Sequence, residues 1–335
     1  RPLTVDFIFN FMAQFTHLLV HTHYSFLDGM SKVGDLIDKC KRTGMNAIAI
    51  TDHGNMFGIK ELVDTAAKVN GKVKDAIKAL QKELKKAEEI CNWDSVNEIK
   101  AQIEAKEKEY FKPIIGCEAY CARRSLHNKD KDFKTINPEN GKEQIVDASG
   151  YHLVLLAKNP KGYENLCYMV SEAYTNGFYG KPRVDLELLE KYHEGLIALS
   201  ACLAGAIPQY LMAENYAEAK AYALKMADIF GPDHFYLELQ DHGIEEQRPV
   251  NQGIRRLARE TGLPLVVTND AHYLRKEDAK IQDILLCVQT GKTVDEPNRM
   301  KFETEEFYLK SEEELRQLFP NCNEAFENTV VIAER

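Results

Sequence analysis

Seven short apolar runs with helical stretches between them constrain this chain more than any other feature. They are HLLVH (17–21), AIAIT (47–51), IIGCEAY (114–120), HLVLLA (152–157), LIALSA (196–201), FYLELQ (235–240) and LPLVVTN (263–269). Most are continuously hydrophobic, the pattern of strands buried on both faces in a parallel sheet. Stretches of helical period separate them, such as SKVGDLIDKCKRTG (31–44) and EEQRPVNQGIRRLARETG (245–262), both ending in Gly. Alternating strand and helix predicts an α/β fold with parallel strands. Seven strands suit one barrel better than two small sheets; a doubly wound sheet is the alternative.

The chain has 335 residues, 44% of them hydrophobic, enough for one large domain or two smaller ones. No run of about 18 apolar residues occurs, so no membrane partner is expected. Eight cysteines without CxxC or framework spacing read as reduced thiols of a cytoplasmic protein. RPLTVDFIFNF (1–11) lacks the basic start and cleavage site of a signal peptide. Met12 reads as an initiator, which makes 1–11 a tag or upstream segment. The net charge of −9 argues against generic nucleic-acid binding, whose affinity comes from clustered Lys and Arg. Any DNA contact must be local or assisted by metal.

Residues 70–112 break the strand–helix rhythm. Val73, Ile77, Leu80, Leu84, Ala87 and Cys91 fall at alternating steps of four and three, a coiled-coil seam. NWDS then interrupts, Ser95 and Glu98 match a capping box, and Val96, Ile99, Ile103 and Tyr110 resume the seam. This predicts an antiparallel helical hairpin inserted between the second and third strands, with a solvated charged face. The polar stretch 122–150 reads as a loop or β-hairpin around NPENGKE. The domain then spans 12–290, and 291–335 reads as the start of a following region.

Residues with ligand chemistry fall where strands end. His21 and His23 follow the first strand, Asp52 and His53 the second, and Glu118 lies late in the third. Cys202 follows the fifth, His242 the sixth, and Asp270 and His272 the seventh. In a parallel barrel those ends meet on one face. His152 is discordant, because it opens its strand instead of ending it. Each residue alone has a plainer reading: a hydrogen-bonded histidine, a turn aspartate, a small buried cysteine. Five of these strand ends together, leaving aside His242 as a candidate substrate contact, favour a site for Zn, Mn or Fe, with one carboxylate able to bridge two ions. Bound water would then be acidic enough to attack phosphorus. A Cys202 nucleophile fits poorly, since neighbouring carboxylates raise a thiol's pKa. His17, His127, His193 and His234 lack this context and read as structural or exposed.

The motifs HxH, TDHG, a strand Glu and a late NDxH resemble the PHP (polymerase and histidinol phosphatase) superfamily. The flanks FTHLLVHTHYSFLDGMSK, GMNAIAITDHGNMFGIKELVDTA, KPIIGCEAYCA, YHLVLLAKNPKGYENLCYMVSEAYTNGFYGKPRVD and TNDAHYLRKEDAKIQDILLCVQTGK resemble the N-terminal region of bacterial replicative DNA polymerase alpha subunits. The likeness runs from Met12 to the C-terminus, apart from 70–112 and part of 122–150.

The resemblance implies a distorted seven-stranded (β/α)7 barrel, TIM-like, with the helical hairpin inserted. It implies metal ligands at His21, His23, Asp28, His53, Glu118, His152, Cys202, Asp270 and His272. His21, His23, Glu118 and Asp270 would hold one divalent ion. Glu118, His152 and Cys202 would hold a second, with Glu118 bridging, and Asp28, His53 and His272 a third. Zn, Mn and Fe are the expected ions, with Mg a further candidate. Asp28 and Cys202 stand where stand-alone phosphatases often carry His, as in the polymerase branch. Asp270, Glu118 and His23 are the expected catalytic set.

The resemblance further implies a 3′–5′ exonuclease or proofreading module acting on the 3′ end of single-stranded DNA. Its partners would be the remainder of the polymerase and other replisome subunits. The paired aspartates of a polymerase palm are not in this sequence, so DNA synthesis is not expected of it alone. A non-catalytic, metal-stabilised module is the alternative, and a small-molecule phosphatase fits the flanks less well. The basic residues nearest the strand ends are Arg123, Arg124, Lys181, Arg183 and Arg275, and these are the expected DNA contacts.

Overall fold

The computed structural model describes residues 15–136, 143–148 and 150–335. The expected tag and initiator at 1–12, and most of the NPENGKE turn, lie outside the described residues. No helix of the described residues is long and apolar enough to cross a membrane.

Six strands form the path of one curled sheet: β1 (Ala47–Ile50), β2 (Lys112–Cys121), β5 (Tyr151–Ala157), β7 (Leu196–Leu199), β8 (Phe235–Leu239) and β9 (Leu265–Val267), in that spatial order. A two-residue strand, β6 (Arg183–Val184), adds to the end of β2. Between β2 and β5, β3 (Lys134–Ile136) and β4 (Glu143–Ile145) pair antiparallel as the hairpin expected within 122–150. The run 17–21 closes the sheet into a barrel. His17 bridges Ile48 of β1 and Val20 bridges Ala271 beyond β9, both in parallel. The Ala49 N–H bonds to the His17 carbonyl, and the His21 N–H to the Ala271 carbonyl at 2.8 Å. That makes the expected α/β barrel of seven staves.

The staves are not all parallel, which corrects the expectation. β5 runs antiparallel to both neighbours, Glu118 standing opposite Val154 and Tyr120 opposite His152 on one side, and Val154 opposite Leu199 on the other. Its first residues therefore lie at the same end as the last residues of the other staves. That resolves the discordant position of His152.

Side-chain alternation sorts each stave into two layers. Ala47, Ala49, Ile114, Val154, Leu156, Ile197, Leu199, Tyr236 and Val266 form the barrel interior. Their neighbours Ile48, Ile50, Leu153, Leu155, Ala198, Leu237 and Val267 face the surrounding helices. The same parity carries Glu118 inward from β2, His152 from β5 and Glu238 from β8, above the apolar layers. Gly116 of β2 has no room for a side chain, since a Cβ there would lie 2.7 Å from Leu156 and 2.8 Å from Thr51.

Helices cover the outside. α1 (Val33–Arg42) precedes β1, and α2 (Ile59–Glu89) and α3 (Trp93–Glu107) lie between β1 and β2. α4 (Pro160–Thr175) and α5 (Leu186–Tyr192) follow β5, and α6 (Ala206–Met212) and α7 (Tyr216–Phe230) follow β7. α8 (Gln247–Thr261) joins β8 to β9, and α9 (Ala279–Thr290), α10 (Glu312–Leu318) and α11 (Asn323–Glu334) complete the chain.

The inserted hairpin is real, but its first arm is not a separate helix. α2 runs unbroken from the crossover after β1 through 70–89. Val73, Ile77 and Tyr110 pack as a cluster of their own with Ile103 against it. Its base is clamped by Asn70, which donates to the Phe111 carbonyl and accepts from the Phe111 N–H at 2.8 Å. The second arm is capped by Asn92, which accepts from the Ser95 N–H, and not by the expected Ser95–Glu98 box.

The tail, expected to open a following region, first passes the site, where 300–307 lines the cavity, and then packs its last helix on the other end of the barrel. Ile332 and Ala333 of α11 join the interior cluster. Phe326 packs on Phe15 at 5.6 Å, and the Thr16 N–H bonds to Thr329 Oγ1 at 2.9 Å.

Candidate metal centre

Seven groups converge at the mouth of the barrel: His21, Asp28, His53, Glu118, His152, Asp270 and His272. Three triads each have donor atoms mutually within 4.8 Å: His21, His53 and His272; His53, Glu118 and His152; and His21, Glu118 and Asp270. Glu118, His21 and His53 each belong to two of them, and Glu118 is the one carboxylate that does. Its Oε2 lies 2.7 Å from His53 Nδ1, 3.0 Å from His152 Nδ1 and 3.8 Å from His21 Nε2. Asp28 Oδ2 lies 3.0 Å from His53 Nε2 and 3.8 Å from His272 Nε2.

Hydrogen bonds behind the cluster set its tautomers. Asp52 is buried and accepts from the Thr22 N–H, the Thr22 hydroxyl and the Ser25 hydroxyl. Ser25 Oγ, having given its proton to Asp52, accepts from His21 Nδ1 at 3.2 Å. His21 Nε2 is then left as a lone pair 3.0 Å from Asp270 Oδ1. His272 Nδ1 sits 2.7 Å from the Asp270 carbonyl, which can only accept, so Nε2 is its free donor atom. A ring nitrogen oriented by a hydrogen bond at its other nitrogen is how metal-binding histidines are held.

The cluster demands positive charge. Burial lowers the pKa of His53, but Asp28 and Glu118 on its two nitrogens push it up to about 10. Burial raises Asp28, Glu118 and Asp270, yet the imidazoles hold all three below the usual carboxylate range, Glu118 well below it. Glu118 Oε2 and His53 Nδ1 are buried and, although 2.7 Å apart, are not aligned for a hydrogen bond with each other or with another protein group. Lone pairs and carboxylates aimed at one another, with orphaned buried atoms between them, are the donor set of a divalent ion.

Two expected ligands stand differently. Cys202 is at the edge, its Sγ 3.6 Å from His152 Nδ1 and 3.9 Å from Glu118 Oε1. Burial and then the Glu118 charge push its thiol well above its ordinary pKa, which removes it as a free nucleophile. His23 is outside the cluster, a correction. Its side chain is 41% exposed and turned to Glu61, 3.9 Å away. The x in HxH sits at a bridge, and a turn begins at His23, so the strand alternation that would align it with His21 has already ended.

The expected DNA contacts divide as well. Arg183 is fully buried, its guanidinium donating to the carbonyls of Gly177, Asp147, Leu126 and Asn128, so it is no surface contact. Arg124 is paired with Asp147 and Arg123 lies over the Tyr151 ring. Lys181 is exposed, 5.2 Å over Tyr120, whose ring flanks His53 and His152. Arg275 is exposed at the start of the short helix 276–278.

Glu238 and the Ser25–Asp52 relay did not stand out in the sequence. Glu238, under the cluster, accepts from the Ala201 N–H and the Thr268 hydroxyl; burial raises its pKa to about 8. A glutamate inside the apolar run FYLELQ was its signal. Ala201 and Asp270 have left-handed backbones, φ +65° and +44°, a strain that non-glycine residues carry mostly at functional positions. The cluster opens on a cavity of about 290 Å³ whose far wall includes Ile244, Met300, Phe302 and Phe307.

Comparison with known proteins matches this arrangement. The model of the PHP domain matches residues 17–242. DNA polymerase III subunit alpha of Borreliella burgdorferi is 44% identical over 97% of this chain. The same subunit is 41% identical in Treponema pallidum and 38% in Thermus aquaticus, each over 96% of the chain. The chain spans only 22–24% of the length of these relatives. A solved structure from Bifidobacterium adolescentis, assigned as a metal-dependent phosphoesterase, covers 91% of the chain at 11% identity and a TM-score of 0.30, too weak to bear on function. A barrel of seven staves, a histidine–carboxylate cluster at its mouth and a family match over 17–242 agree: the chain belongs to the PHP domain family.

Proposed function

We propose that this chain is the metal-dependent phosphoesterase module of a replicative DNA polymerase, removing nucleotides from the 3′ end of single-stranded DNA. The observation that carries the reading is Glu118, shared at 2.7 and 3.0 Å between imidazoles from β5 and from the loop after β1. A shared carboxylate suits two ions side by side. His21, Glu118 and Asp270 would hold one ion, and Glu118, His53 and His152 a second. Asp28 and His272 would hold a third; His53, with one lone pair as a neutral imidazole, would serve the second ion or the third but not both, and Cys202 borders the second. When bound, about two or three ions of Zn, Mn or Fe supply Lewis acidity and an acidified water for attack on phosphorus. The chain's own contribution is orientation. Ser25 and Asp52 fix the His21 ring, the Asp270 carbonyl fixes His272, and Glu238, held by the Ala201 N–H and the Thr268 hydroxyl, lies beneath the cluster. Polymerase activity, replisome partners and a cytoplasmic setting belong to the whole protein in this reading.

One observation favours a second role beside the first. His21 and Asp270 are 249 positions apart and meet across the closing seam. An ion there would cross-link the barrel, so a purely stabilising metal is the competing reading. Metal analysis of protein purified without chelator, paired with cleavage of a 3′-labelled single strand, separates them. Bound ions with chelator-sensitive release of label are expected. Ions that raise the melting temperature without any cleavage would leave the structural role alone, and failure to bind ions would overturn both.

A further inference from the structure

The phosphoesterase reading leaves open what the ester carries, and the far wall of the cavity bears on that. Four apolar side chains, Ile244, Met300, Phe302 and Phe307, line the cavity beside the donor cluster, together with Glu246, Lys301 and Glu303. Met300 is 51% exposed there. The Phe307 ring stacks on His242 at 4.0 Å and 8°, and Phe302 leans on Phe307 at 4.4 Å. His242 cannot turn: Nε2 lies 2.9 Å from the Asn269 carbonyl and Nδ1 accepts from Gln247. Phe302 also meets the His272 ring edge-on at 4.9 Å. The result is a fixed pile of rings ending beside a candidate ligand, with exposed Lys301 between Met300 and Phe302.

We propose that this wall seats the base of a single terminal nucleotide while its phosphate lies at the donor cluster, an assignment that rests on the phosphoesterase reading. A flat apolar partner is what such a wall can hold, and a cavity of about 290 Å³, at the small end of ligand sites, has room for one nucleotide. The wall offers the half-buried Phe302 ring and a thioether, with Phe307 buried behind Phe302 and against His242. The nearby Gln247 amide, which could read a base edge, is spent on His242. Recognition by faces tolerates any base, as in stacking platforms for single strands. Lys301 is placed to meet the next phosphate of the strand.

The test is calorimetric binding to the Mn2+-reconstituted chain of the four deoxynucleoside 5′-monophosphates, deoxyribose 5-phosphate and inorganic phosphate. The four monophosphates should bind alike and about tenfold more tightly than deoxyribose 5-phosphate, the contribution of one stacked base. Met300→Ala and Phe302→Leu should each remove about fivefold or more of that preference and leave deoxyribose 5-phosphate unchanged. A base that adds nothing overturns the proposal, as does a strong preference for one base. Equal weakening of all probes by both variants also overturns it, since the wall would then act only through His272. Absence of the base preference in the unsubstituted chain, with strand cleavage intact, removes this inference alone. Base preference without cleavage supports the seat and removes the phosphoesterase reading.

Discussion

His17 and His21 stand at the two ends of the segment that closes the barrel, and both are fully buried. His17, at the floor, has one polar partner, the Lys310 carbonyl 2.8 Å from Nε2, and an edge contact with Phe15. Burial lowers its pKa to about 4, so it is neutral and serves as a hydrogen-bond donor in an apolar plug. His21, at the mouth, has Ser25 behind it and two carboxylates in front. Neither burial nor residue type separates a structural histidine from a candidate ligand here. The partners do, and the direction of the chain decides which partners each end meets.

The sharpest way to break this contrast is Asp270→Asn. Asparagine tolerates the left-handed backbone at that position, so the fold should survive. Phosphodiester cleavage should fall by about 10²-fold to 10³-fold or more, as when an electrostatic stabiliser is lost. A variant with full activity would take Asp270 out of the mechanism. Next in size, metal at about a hundred times its Kd should add about 2.7 kcal/mol of stability, read as a melting shift on chelation. His21→Ala should erase most of that shift, and His17→Ala should keep it.

His17→Ala should instead cost about 2–3 kcal/mol with or without metal, from the cavity and the orphaned Lys310 carbonyl. Denaturation that found both alanine variants equally dependent on metal would dissolve the distinction. The pH response of the floor is smaller. The folded pKa of His17 lies below its unfolded value of 6.5, so its stability is complete above pH 6.5 and lost as pH falls toward 4. The slope should be up to about 1.4 kcal/mol per pH unit for one group, and reduced in His17→Gln. His242, also lowered by burial to about 4, adds a second contribution of the same sign. The smallest effect concerns the hairpin. Replacing 72–108 by a short Gly linker keeps the Asn70–Phe111 clamp and should leave metal binding unchanged. Loss of folding would show that the separate Val73–Ile77–Tyr110 cluster supports the barrel.

Much of the barrel was legible because apolar runs of four to seven residues are what buried staves require. Their direction was not. HLVLLA reads the same whichever way it lies, and only the pairing of Tyr120 with His152 shows β5 reversed. The two-residue β6 is too short to leave a periodic signal. The break between the hairpin arms was visible, but the continuity of α2 with the crossover helix was not, since a seam carries no mark of where its helix begins. At the site, the strand-end residues whose backbone still ran extended come together at the mouth of the barrel. His23 failed because a turn had begun. Arg183 failed because four backbone carbonyls claim it, and such partners have no sequence signature. Asp52, legible as a turn residue in TDHG, instead anchors the Ser25–His21 relay.

The seam also sets a schedule. Thr16 bonds to Thr329, 313 positions later, and His21 to Asp270, 249 later. During synthesis at about 5–20 residues per second, the first stave must wait roughly a quarter of a minute to a full minute for the partners that lock it. Through that interval Leu18, Leu19 and Val20 have no barrel to close. The groups that need Asp270 or His272 cannot assemble before the last stave has left the ribosome, whereas His53, Glu118 and His152 are all made by β5, so the complete centre, and not its first ion, marks the closing of this fold.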